Sequence, residues 1–263
     1  MPSTPPILNT TPHPPAVRPD PLPTTLTPEA ALAHTPADFP LTICWSGTSA
    51  HPESRWIILA PIESTIVDDL PAIVRDRIPI NPPSPSSLPP TDLPPFAGGW
   101  IGFISFDAAG RFEPALQQTA PPAGTAWPSM VFHHTPGALI FDRLRRRWLS
   151  VGQHTSKLRE LESFLAARAN QPIPAHSFRL SLPADHQRSL TSARAHYTAA
   201  VRSALELIAR GDIYQVNLAH ALRLNFLGSS RALFIELMRI ANPWMGAYIP
   251  LPWRLYTSPC PRD

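Results

Sequence analysis

Ten histidines, two cysteines, a single lysine and one glycine-rich run are the residues of this 263-residue chain suited to metal binding, nucleophilic attack or phosphate cradling. None has the spacing such chemistry needs. His133 and His134 adjoin in a stretch that reads as a strand, where successive side chains point to opposite faces, so the pair does not chelate one ion. The other eight histidines are scattered. Cys44 and Cys260 form no C-x-x-C pair, which argues against a zinc site or disulfide framework and fits a reducing compartment. The run Gly98-Gly99-Trp100-Ile101-Gly102 lacks the Lys-Ser/Thr of a phosphate loop and continues as strand instead of opening a helix. Asp68-Asp69 is explained by favourable negative charge at the start of a short helix. Arg143, Arg145, Arg146 and Arg147 read as a solvated hairpin tip. With a net charge of only +3, no nucleic-acid partner is expected.

The elements that must position these residues are legible from apolar periodicity. Leu41–Ser46 and Arg55–Ala60 read as strands, as do Gly99–Phe106 and the hairpin pair Ala138–Asp142 and Arg147–Val151. The glycines at 98, 99 and 102 predict close backbone approach by a neighbour. Ser156–Ala169 reads as a helix with Leu158, Leu161 and Leu165 on one face. Ser192–Arg210 reads as a longer one with Tyr197, Val201, Leu205 and Ile208 in one stripe, ended by Gly211 as a left-handed cap. From Ile213 to Phe226, apolar residues alternate with polar ones. That pattern predicts a long strand with Val216 and Leu218 facing a core. Ser230–Ile240 reads as a helix with Leu233, Leu237 and Ile240 inward, stopped by Asn242-Pro243.

The 36 prolines concentrate in residues 1–40 and 79–95. Proline removes backbone donors and fixes φ, so residues 1–40 are expected to form a disordered extension and 79–95 a surface loop. Thr27 and Pro28 offer an N-cap and first helical position for a short turn over Pro28–His34. Residues 1–40 also lack the basic and apolar regions of a secretory signal, and no run of about 18 apolar residues marks a membrane span. A cytoplasmic protein without a membrane partner is expected. Strands, helices and hairpins without an internal repeat indicate an α+β fold.

Two motifs then narrow the reading. PFAGGWIGFISFD (Pro95–Asp107), followed by GRFE (Gly110–Glu113), resembles the family pattern PF-x-GG-x-x-G-x-x-x-YD, with Phe106 in place of Tyr. GDIYQVNLAHAL (Gly211–Leu222) resembles GD-[IV]-[FYC]-Q-V-x-L-[SA]. Together they resemble the amino-terminal half of component I of aminodeoxychorismate synthase, a relative of component I of anthranilate synthase, over roughly residues 40–258. GRFE resembles the aminodeoxychorismate branch more.

The resemblance implies the amino-terminal part of an anthranilate synthase component I-like fold, α+β, with two facing, mostly antiparallel sheets and helices. It implies a component I-like region over 41–190, the start of a chorismate-binding region over 191–258, and a tail at 259–263 that departs from the family. It further implies chorismate as substrate, amination on the route to 4-aminobenzoate and folate, Mg2+ held by glutamates, and a glutamine amidotransferase subunit as partner. However, the PIKGT-type, D-L-x-R-N-D and GSVTGAPK segments that carry the family's chemistry do not occur here. Lys157 lies outside any such context. No catalytic residue and no cofactor are therefore assigned to this chain, which is expected to be inactive alone.

The resemblance also implies a pocket for a tryptophan-like effector. Ile43–Gly47 sits where the family has a strand ending in an acidic residue and serine; here Trp45 takes the acidic place and Ser46 is retained. NPWMGAY (Asn242–Tyr248) resembles NP-x-P-[YF]-x-x-Y, one residue short. Ser46, Tyr214, Asn242, Pro243, Trp244 and Met245 are the residues so implicated. Two other readings stay open: a non-catalytic aromatic amino-acid-binding or scaffold module, and a fragment of anthranilate synthase component I.

Overall fold

The computed structural model describes residues 17–47, 54–68, 93–109, 128–175, 177–183, 186–218 and 224–251. In chain order the elements are β1 (Val17–Pro19), α1 (Pro28–His34), β2 (Leu41–Ser46), β3 (Trp56–Pro61), β4 (Ser64–Val67), β5 (Gly99–Ile104), β6 (Met130–Thr135), β7 (Gly137–Asp142), β8 (Arg147–Gly152), α2 (Ser156–Ala166), β9 (Phe178–Ser181), α3 (His186–Arg210), β10 (Asn225–Gly228), α4 (Ser230–Ala241) and β11 (Met245–Tyr248). All observed ladders are antiparallel. The fold is α+β, as expected. The chain divides into two compact units, residues 176–233 and the remainder.

The larger unit is built on a six-stranded sheet in the order β1-β8-β7-β3-β2-β11. The apolar run Ile57-Ile58-Leu59-Ala60 is buried on both sides, because the sheet is covered on both faces. Leu41, Ile43, Trp45, Ile57, Leu59, Phe141 and Trp148 point to a layer formed by α1, α2 and Phe234 of α4. Ile58, Ala60, Ile140, Leu149 and Val151 point the other way, where Phe96 and Ile101 pack against them. Ile101 belongs to β5 of a three-stranded sheet, β4-β6-β5. An added Cβ at Gly102 would sit 2.0 Å from the Val131 carbonyl oxygen, the close approach the glycine run predicts.

Among the described residues, two buried carboxylates, Asp142 and Glu162, anchor ion pairs that brace this unit. Arg55 grips Asp142 at the β7–β8 tip through two nitrogens, at 2.8 and 2.6 Å. Burial alone would raise the Asp142 carboxyl, but the Arg55 guanidinium and the backbone amides of Arg145 and Leu144 outweigh it and hold it below the usual carboxylate range. Arg18 of β1 reaches Glu162 of α2, which His154 also contacts at 3.0 Å. Burial is again opposed, here by Ser150, Arg18 and His154, and Glu162 too lies below its ordinary range.

Several expectations are corrected. Residues 17–40 are not a disordered extension. Leu22, Leu26 and Leu32 are buried against the sheet, and Trp148 Nε1 donates to the Leu26 carbonyl at 2.9 Å. Proline density removes local helix and ladder bonds, but these side chains gain burial from distant residues, which outweighs it. Thr27 caps α1 as its position suggested. The inward face of α4 is Phe234, with Ile235 and Met238, not Leu237 and Ile240, which are exposed.

In the smaller unit, α3 ends as predicted. Gly211 adopts φ +79°, with Asp212 N bonded to Leu207 O and Gly211 N to Ile208 O, a Schellman cap. The long strand does not follow it. Residues 213–218 carry no ladder among the described residues, and only β10 pairs, with β9. Val216 and Leu218 are 46% and 36% exposed, so they do not face a core. Alternation specifies which side chains share a face. It cannot form a strand without a neighbour to satisfy the backbone. The 79–92 part of the proline-rich loop, GRFE, Cys260, residues 219–223 and the 259–263 tail lie outside the described residues.

Candidate functional site

Helix α4 ends at Ala241, and Asn242 follows in a left-handed conformation, φ +40°, that Asn tolerates better than most residues. Its amide bonds to Met238 O at 3.0 Å, and Pro243 then prevents another turn. The chain therefore reverses and lays β11 along β2, pairing Met245 with Ser46, Gly246 with Trp45, Ala247 with Cys44 and Tyr248 with Ile43. Gly47 N donates to Trp244 O at 3.2 Å and closes the corner. Gly47 is needed there, since a Cβ would fall 2.1 Å from the Pro243 carbonyl oxygen.

Five of the six residues implicated by sequence thus converge: Ser46, Asn242, Pro243, Trp244 and Met245. The sixth, Tyr214, belongs to the 176–233 unit and is 93% exposed.

Cross-strand pairing decides what the corner presents. Met245, Ser46, Ala247 and Cys44 share one face. Trp45 and Tyr248 share the opposite face, where both cluster with Phe234: Trp45 edge-on at 6.3 Å, Tyr248 tilted at 5.7 Å. Arg143 lies over the Trp45 ring at 5.4 Å. The tryptophan that stands where the family has an acidic residue is a core residue here, on the far side of the strand from Ser46. Period-two alternation could have shown this, as it could have placed Cys44 beside Ser46.

The chemistry open to this wall is binding. Ser46 Oγ donates to the Trp56 carbonyl and accepts from Trp56 N at 3.2 Å, so its hydroxyl is committed to the β2–β3 backbone. Burial pushes the Cys44 thiol up, away from the thiolate that attack requires. Met245, 65% exposed, and Trp244 supply accessible apolar surface. No base contacts Ser46 or Cys44 among the described bonds. Nor do three or more His, Cys, Asp or Glu side chains among the described residues come together to hold a metal ion. These residues do not fit the glutamate-held Mg2+ that the resemblance implies. No helix among them is long and apolar enough to cross a membrane.

Comparison with known protein families covers the 242–248 side of this corner but not Ser46, which precedes the matched residues. The model of the chorismate binding enzymes matches residues 62–261. Anthranilate synthase component 1 of Streptomyces coelicolor is 30% identical over 62% of this chain and 33% of its own length. Aminodeoxychorismate synthase component 1 of Escherichia coli is 28% identical over 78% of this chain and 47% of its own. Among solved structures, anthranilate synthase component I from Streptococcus pneumoniae aligns with 78% of this chain and 40% of that one, at 17% identity and a TM-score of 0.33. The chain spans a third to about half of the length of the curated relatives it matches.

Proposed function

We propose, from the premise that this chain belongs to the chorismate binding enzyme family, that it is the amino-terminal portion of an aminodeoxychorismate synthase component I-like protein. The observation that carries the branch is GRFE (Gly110–Glu113), directly after the PFAGGWIGFISFD motif. In this reading the whole protein takes chorismate, exchanges its 4-hydroxyl for ammonia delivered by a glutamine amidotransferase subunit, and serves 4-aminobenzoate and folate synthesis in the cytoplasm. The 263 residues themselves supply the scaffold and the Ser46–Met245 wall, not the reacting groups. The purified chain, given chorismate, ammonia and Mg2+, is therefore expected to form no aminodeoxychorismate. Product above a no-protein control overturns this reading, and anthranilate as that product moves the chain to the other branch.

A second reading is supported by the wall itself. Trp244 and Met245 give it exposed apolar surface beside Ser46, which suits an aromatic amino-acid-binding module. Titration calorimetry with L-tryptophan tests it: saturable heat that is lost in Met245→Asp supports binding, and no heat at millimolar ligand removes it.

A further inference from the structure

Among the described residues, His133 is the most buried titratable group apart from Asp142, 2% exposed at the centre of the β4-β6-β5 sheet. Both ring nitrogens are engaged by different elements. Nε2 lies 2.9 Å from the Pro250 carbonyl oxygen, and Nδ1 lies 2.8 Å from Thr65 Oγ1 of β4. A carbonyl only accepts, so Nε2 carries the proton. In the neutral ring Nδ1 then accepts from the Thr65 hydroxyl. The Thr65 hydroxyl can turn to accept instead, so the cost of a second ring proton comes from burying the charge where no carboxylate bonds to the ring among the described bonds.

Pro250 lies two residues beyond β11, the edge strand that brings Met245 against Ser46. The bond from His133 therefore ties the end of β11 to the three-stranded sheet. Few charges oppose or replace a proton at this place. β5 has no ionisable side chain, and neither do residues 249–251. On β6 the neighbouring His134 faces the other way, against Trp100 at 4.9 Å. Flanking β4, Glu63 lies 3.8 Å from Lys157 Nζ of α2, which offsets its charge. Asp68, at the far end, accepts from Met130 N at 3.0 Å. Burial dominates over the Pro250 carbonyl and holds His133 below the ordinary histidine range.

We propose that His133 is a proton-sensitive clasp that holds the end of β11, and with it the Ser46–Met245 wall, against the three-stranded sheet and releases it as the solution turns acid. A buried imidazolium is costly. Opening a four-residue edge strand to hydrate it costs less than unfolding the core. The clasp works whatever the wall binds, and it stands apart from the chorismate reading.

Hydrogen exchange of the full chain between pH 7.5 and 5, corrected for intrinsic rates, tests the clasp. Opening of residues 245–251 is expected to rise by up to tenfold per pH unit below about 6.5, while residues 137–142 stay protected. His133→Gln keeps a donor and an acceptor but cannot titrate, so its opening is expected to be flat over this range. A flat profile in the unmodified chain, or the same rise in His133→Gln, overturns the proposal. Should the variant fail to fold, imidazole NMR of the unmodified chain decides. A His133 titration that coincides with shifts of the Ala247 and Leu251 amides supports the clasp, and one that leaves those amides unmoved overturns it.

Discussion

Asp142→Leu is the sharpest perturbation of the larger unit. Asp142 is fully buried and Arg55 nearly so, with side-chain exposures of 0% and 13%. Removing the carboxylate takes both Asp142 bonds from the guanidinium, which lies over the Trp56 ring at 4.2 Å. Breaking one side of a buried pair costs ~3–5 kcal/mol. The amides of Leu144 and Arg145 also lose their acceptor, but they sit at an exposed tip and turn to water, adding little. A loss of about 3–5 kcal/mol is therefore expected in urea unfolding followed by tryptophan fluorescence. The double variant Arg55→Met/Asp142→Leu replaces both charges by apolar groups and is expected to recover most of that loss, because desolvation of the pair disappears with it. A single-variant cost below about 1 kcal/mol, the range of a surface pair, refutes the assigned burial. A double variant as unstable as the single one refutes the role given to the buried charge.

Other consequences follow from the same contacts. Asp142 and Glu162 both titrate below their ordinary ranges when folded, so the stability they contribute is complete above the unfolded carboxyl range of about 4–4.5 and drains away as pH falls through the folded values. Urea midpoints measured from pH 6 to 3 are expected to fall, and less so in Glu162→Gln. Gly47→Ala drives a Cβ onto the Pro243 carbonyl, and a cost of ~1–3 kcal/mol with loss of exchange protection over 245–248 is expected. Leu139→Ala, at a fully buried site, is expected to cost ~2–5 kcal/mol. Leu218→Ala is expected to stay within about 0.5 kcal/mol, and equal effects contradict the burial pattern.

What the sequence disclosed depended on how local the determining forces are. β2, β3, the β7–β8 hairpin and α2 were legible because each has a window long enough for its own period to show, as with Leu158, Leu161 and Leu165. β1, β4, β9 and β11 have only three or four residues and no period to read. They exist because a partner strand accepts them. The order of residues 17–40 likewise comes from contacts far along the chain, such as Arg18 to Glu162 and Leu26 to Trp148. The opposite failure occurs at 213–218, where a clear alternation has no ladder among the described residues. At the candidate site, the resemblance located both sides of the β2–β11 corner. That Trp45 turns away from Ser46 and Cys44 shares its face is implied by alternation along β2 alone, whereas the placing of Met245 opposite Ser46 depends on the register of β11, for which a four-residue strand carries no signal.

The proposed origin is tested most directly by sequencing the transcript beyond codon 263 and translating all three frames. A PIKGT-like segment is expected in one of them, followed by the glycine-rich and glutamate-bearing segments of the chorismate-amination chemistry. Absence of such a segment from every frame contradicts the account and leaves the amino-acid-binding module as the function to pursue.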